Sequence, residues 1–295
     1  MTLSLQRREL FLDAMGLGPV WTRRANEPEA DQATDAIAKN LSTTADDAQV
    51  SNMLAMPTQV PLEDGTTAEV AWSVESDSMY AGSTVDIATM DWTELNSAVK
   101  QCRACELCRT RKHTVFGVGS TKTDWLFVGE GPGYHEDREG QPFIGPSGGL
   151  LDNMLRAIGL DRQTNVYITN IVKCRPTDAN GDDRAPTANE ITACRPFLNR
   201  QITLLQPAMI VALGKTAATS LITQSDTTQM ESMPQSVPVS VLRGKVHQYR
   251  IADEVSVPMV VTYHPAYLLR RLVEKGKAWA DLCLAMSVLA KRSDE

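Results

Sequence analysis

Trp125-Leu126-Phe127-Val128-Gly129-Glu130-Gly131-Pro132-Gly133 decides the fold class. Four apolar residues in a row, without alternation, describe a strand buried on both faces, and the glycine-rich run ends it. Downstream the same theme returns. Val166-Tyr167-Ile168-Thr169 and residues 209–213, 246–251 and 257–263 read as strands. Between and after them, residues 149–158, 188–205, 215–222 and 272–290 carry helical patterns, the second opened by the capping box Thr187-Ala188-Asn189-Glu190. Upstream, Asp91-Trp92-Thr93-Glu94 is another capping box, and Trp92, Leu95 and Val99 share one face of a helix that runs into Cys102. Strands alternating with helices predict an α/β fold, a parallel sheet with helices on both sides. There is no internal repeat.

The chain has 295 residues, of which 42% are hydrophobic, enough for one or two domains with a real core. No apolar run approaches the roughly 20 residues that cross a bilayer, so no membrane span is expected. The start, MTLSLQRREL, lacks the basic-then-apolar layout of a secretory signal, and a cytoplasmic protein is expected. The net charge of −7 would argue against a nucleic-acid partner, but it is unevenly spread. Residues 1–94 hold 5 Lys and Arg against 16 Asp and Glu, whereas residues 95–295 hold 24 against 20. The acid belongs to the first third, and the rest is mildly basic.

Three divisions follow. Residues 1–24 read as a short amphipathic segment, with Leu5, Leu10, Phe11 and Met15 at helical spacing and Gly16 and Gly18 closing it. It either docks on its own domain or serves as a hook for a protein partner. Residues 25–90, rich in Ala, Thr, Ser, Asp and Glu, bury too little apolar surface to offset their ordering entropy, and a disordered linker is expected. Residues 91–295 are expected to form the folded domain.

Three loops leave the carboxyl ends of predicted strands: Gly129 to Gly133, Asn170, and His264-Pro265-Ala266-Tyr267-Leu268. In open α/β sheets ligands bind there, so the loops can converge on one pocket. Singly, each has a plain structural reading as a turn, a cap or a satisfied histidine; their shared placement raises the functional one. Neither a dinucleotide fingerprint nor a phosphate-binding P-loop is present. Gly145-Pro146-Ser147-Gly148-Gly149 opens a helix whose amides could hold a phosphate, and Phe143 before it could stack on a base or fill the core. Six cysteines are too few for a disulfide scaffold. Cys102-Arg103-Ala104-Cys105, with Cys174 and Cys194, suits zinc or an iron–sulfur centre, and spacing alone does not choose. Cys108 lies near the first pair, and Cys283 reads as a structural thiol.

The motifs CRACELCRTR, LFVGEGPGYHEDREGQPFIGPSGGLLDNML, VYITNIVKCRP, APTANEITACRPFL, LGKTAA and TYHPAYLLR, in that order, closely resemble the family 4 uracil-DNA glycosylases, across about residues 92–290. The resemblance implies a three-layer α/β/α sandwich around a four-stranded parallel sheet. It implies a monomer that removes uracil from single- or double-stranded DNA in base-excision repair. A [4Fe-4S] cluster would be held by Cys102, Cys105, Cys174 and Cys194, with Cys108 outside the set. Catalysis would fall to Glu130, which positions water, and to His264, which donates to uracil O2. Gly131, Glu136, Phe143 and Asn170 would form the base pocket, Glu136 replacing a bulky side chain missing at Gly133. Leu268 would wedge into the vacated stack and Arg270 would hold phosphate. Lys173 and Arg175 would meet the DNA backbone. Two alternatives are a related glycosylase that also takes hypoxanthine or xanthine, and a noncatalytic DNA-binding module recruited to a replication partner.

Overall fold

A computed structural model describes residues 86–225, 237–252 and 255–293. The amphipathic segment at 1–24, nearly all of the 25–90 linker and most of the polar loop at 224–238 lie outside the described residues. The packed chain begins before Asp91. A 3-10 turn, Ile87–Thr89, is capped by Asp86, and Ile87 and Met90 pack against the core. The Asp91 capping box forms as predicted and starts the helix Trp92–Gln101.

Six strands make one sheet, ordered β1-β3-β2-β4-β6-β5. They are β1 (Val118–Gly119), β2 (Trp125–Gly129), β3 (Tyr167–Asn170), β4 (Met209–Leu213), β5 (Val246–Ala252) and β6 (Val255–Thr262). The inner four, β3-β2-β4-β6, are parallel, as expected. The two edges are added strands, both antiparallel. Two-residue β1 is too short to leave a pattern in sequence. Strand β5 folds back on β6 as a hairpin, which the parallel reading did not anticipate.

Every residue of β2, β3 and β4 is buried, which explains the unbroken apolar runs. Successive side chains go to opposite faces. Leu126, Val128, Ile210 and Ala212 join one core cluster under the Trp92–Gln101 and Ala188–Leu205 helices. Trp125, Phe127, Val211 and Leu213 join the other, under Pro146–Ala157 and Lys275–Ser293. The result is the three-layer sandwich. From β2 the chain moves one way to β3 and then back past β2 to β4, so the order reverses between β2 and β4. That switch point is where open α/β sheets bind ligands.

Candidate active site

A cleft of about 430 Å³ opens at the carboxyl ends of the parallel strands. Glu130, Gly131, Glu136, Phe143, Asn170 and His264 all line it, so all six of the expected catalytic and base-pocket residues come together. Asn170 ends β3 directly beside Gly129 of β2. It is 2% exposed, and its Oδ1 is buried without a hydrogen-bond partner. A side chain at Gly129 would overlap both Asn170 Oδ1 and the Phe143 ring, so glycine is what lets the two approach.

Phe143 is held in a left-handed conformation, φ 53°. Arg162 fixes it there: its guanidinium donates to the carbonyls of Pro142 (2.9 Å) and Phe143 (2.7 Å) while pairing with Asp152 (2.7 Å). Glu136 supports the same loop. Its carboxylate accepts from the amides of Gly133 (3.1 Å) and Ile144 (3.2 Å). A side chain at Gly133 would meet Glu136 Oε2 at 2.9 Å, so Glu136 fills the space that glycine leaves. Gly131 sits close against Val172.

His264 caps the short helix Pro265–Arg270, its Nδ1 accepting from the Ala266 amide at 3.2 Å. An accepting Nδ1 leaves the proton on Nε2. Burial, with the charge of Arg270 adding, pushes the ring's pKa down to about 4, so it is neutral at pH 7. Its ring lies 5.4 Å from that of Phe143. Glu130 accepts a short hydrogen bond from Thr216, the second residue of the helix after β4. This bond spans the switch point and was not legible in the sequence beyond the neighbouring strand end. Tyr134, His135, Asp183 and Arg184 also border the cleft and went unnoticed in the sequence. The latter two come from a loop closed by a Thr177–Asp183 bridge and by an Arg184–Glu190 ion pair at 2.6 Å.

Two assignments need correction. Leu268 is 0% exposed within the core, because the helix turns it inward, and it is not free to wedge into DNA. Its neighbours Leu269, Leu272 and Val273 are exposed, as is Arg270. Lys173 is 1% exposed and so does not face a DNA backbone. Arg175 is tied to Asp183 and to the Gly181 carbonyl, with its guanidinium over the Tyr134 ring.

Behind the cleft, Cys102, Cys105, Cys108, Cys174 and Cys194 line one apolar hollow. All are free thiols. Burial pushes Cys174 up to about 11 and Cys194 up to about 12. Arg111 Nη1 donates to Cys174 Sγ at 3.1 Å, and the Lys173 amide donates to Cys194 Sγ at 3.3 Å. Among the described residues no three His, Cys, Asp or Glu are grouped as ligands of a single metal ion. Thiols converging on an apolar hollow, with donors aimed at sulfur, fit an iron–sulfur centre, which spreads its ligands over several metal atoms.

The site at a switch point of a parallel sheet defines a ligand-binding α/β protein. The family model of the Uracil DNA glycosylase superfamily matches residues 116–283. A Type-4 uracil-DNA glycosylase of Pyrobaculum aerophilum is 39% identical over 196 residues, 66% of this chain and 93% of that protein. Those of Archaeoglobus fulgidus and Thermotoga maritima are each 39% identical, over 59% and 60% of this chain and 80% and 82% of their own lengths. The chain belongs to the type-4 branch of the uracil-DNA glycosylase superfamily. No helix among the described residues is long and apolar enough to cross a membrane.

Proposed function

We propose that this protein excises uracil from DNA by hydrolysing the N-glycosidic bond, leaving an abasic site for base-excision repair. The observation that carries this reading is Asn170 Oδ1, a buried acceptor left without a partner in a cleft shared with an aromatic ring. Uracil N3–H is the donor it lacks, and the amide NH₂ complements O4. Cytosine presents the reverse pattern, so it leaves the same groups unpaired.

Inside a duplex the base must first be extruded, at a cost of roughly a few kcal/mol. Leu269, Leu272 and Val273 are exposed apolar groups in the stretch that follows His264 and could enter the gap, and Arg270 supplies phosphate contact. In the cleft Phe143 stacks on uracil. Glu136 and the loop it braces close the side where thymine carries its methyl. As the C–N bond breaks, electrons pass to uracil O2 and the sugar becomes cationic. The His264 Nε2–H donates to that oxygen as a neutral group, which stabilises the anion without surrendering a full proton. Glu130, steadied by Thr216, orients the water and faces the sugar cation. Cys102, Cys105, Cys174 and Cys194 would hold a [4Fe-4S] cluster, which supplies structural support, since this hydrolysis moves no electrons between centres.

A labelled oligonucleotide with one uracil, treated with protein and then alkali, tests the reading. Strand cleavage at uracil, with thymine and hypoxanthine strands intact, is expected. Intact uracil strands under conditions where the protein is folded would refute it.

A further inference from the structure

Lys173 is fully enclosed, yet among the described residues no carboxylate forms an ion pair with it. A buried cation without a counter-charge is strongly unfavourable. Its ammonium donates to Thr169 Oγ1 at 2.6 Å and to the Asn170 main-chain carbonyl at 2.9 Å. Its own amide, at the other end of the residue, donates to Cys194 Sγ. Lys173 lines the same hollow as Cys174 and Cys194. Arg111 is the second cation at the hollow. It bonds Cys174 Sγ through one nitrogen and the Cys102 carbonyl, at 2.8 Å, through another.

An iron–sulfur centre with four thiolates is net anionic, and nearby charge sets its potential. We propose that Lys173, with Arg111, is the counter-charge of that centre, and that Lys173 is thereby a positioning residue coupling it to base recognition. The ammonium that balances the thiolates also anchors the peptide of Asn170. Loss of the centre strips Lys173 of its partner and loosens the carboxamide that reads the base. This inference rests on both parts of the function proposed above, the cluster and the uracil cleft.

The test uses full-length protein with its iron intact, without DNA for the first two readouts. Lys173→Met keeps an unbranched apolar stem and removes the charge. Its centre is expected to have a more negative midpoint potential, because the reduced form loses a neighbouring cation. Iron is expected to pass to a chelator at least about fivefold faster, the lower end of ordinary coupling energies. The KM for a uracil strand is expected to rise by about the same factor. Thr169→Val, which removes a neutral partner of the ammonium, should leave the potential in place. A Lys173→Met protein with the potential and iron retention of the parent overturns the proposal. If that variant does not fold, Arg111→Gln is measured instead, and an unmoved potential and iron retention there overturn it equally. These two readouts do not depend on uracil excision, so failure of the glycosylase reading is recognised separately.

Discussion

Three residues separate Asn170, whose carboxamide oxygen borders an open cleft, from Cys174, whose thiol borders an apolar hollow. In the cleft, polar side chains are braced by fixed partners: Glu136 by two amides, Glu130 by Thr216, His264 by the amide of Ala266. One acceptor is left over, that of Asn170. In the hollow the pattern inverts. The thiols are desolvated, and the groups that donate to sulfur are the Arg111 guanidinium and the Lys173 amide. The cleft offers a free acceptor to a ligand that carries a donor, whereas the hollow surrounds its sulfurs with donors. Preorganisation in the first serves recognition; in the second it serves stability.

The comparison breaks most sharply at His264. His264→Ala is expected to lower kcat on single-stranded uracil DNA by about 10²–10³, with the visible absorbance of the cysteine centre unchanged. Single-turnover kinetics and a spectrum on the same sample check both halves. Next in size is the contrast between consecutive leucines. Leu268→Ala should cost about 2–5 kcal/mol of stability through a core cavity. Leu269→Ala should change stability by no more than about 0.5 kcal/mol and instead weaken activity on duplex relative to single-stranded substrate. Denaturant melts and paired assays separate them.

Thr216→Val should lower kcat by about tenfold, near 1.4 kcal/mol, by releasing Glu130 from its donor. Thr216→Ser should restore most of the loss, and equal rates for all three proteins would remove Thr216 from the site. The smallest effect is a slope. An unfolded chain protonates His264 below about 6.5, while the folded ring resists until about 4. The folded state therefore binds fewer protons across that window, and stability contributed by the neutral ring falls as pH drops from 6.5 toward 4. His264→Asn should flatten this part of a Tm-against-pH curve, and superimposable curves would contradict it.

The strands and helices were legible because burial on two faces writes unbroken apolar runs, and capping boxes mark helix starts. The site residues were legible as loops leaving strand ends, with the family resemblance supplying their roles. Leu268 and Lys173 were misplaced for a common reason. Side-chain direction in a short helix and burial beside a turn depend on what packs against them, which local sequence does not record. Arg162, Thr216 and Arg184 left no signal because each acts on a residue brought near only by folding; Arg162 and Phe143, for example, are 19 positions apart.

What the sequence alone determined was the alternation of buried strands with helices and the set of groups able to do chemistry, since these follow from periodicity and residue type along the chain. The tertiary structure alone decided which side chains face the cleft, which polar atom is left unpartnered and which groups a buried ammonium donates to. Those outcomes depend on distances between segments far apart in the chain, and such distances exist only once the core has closed.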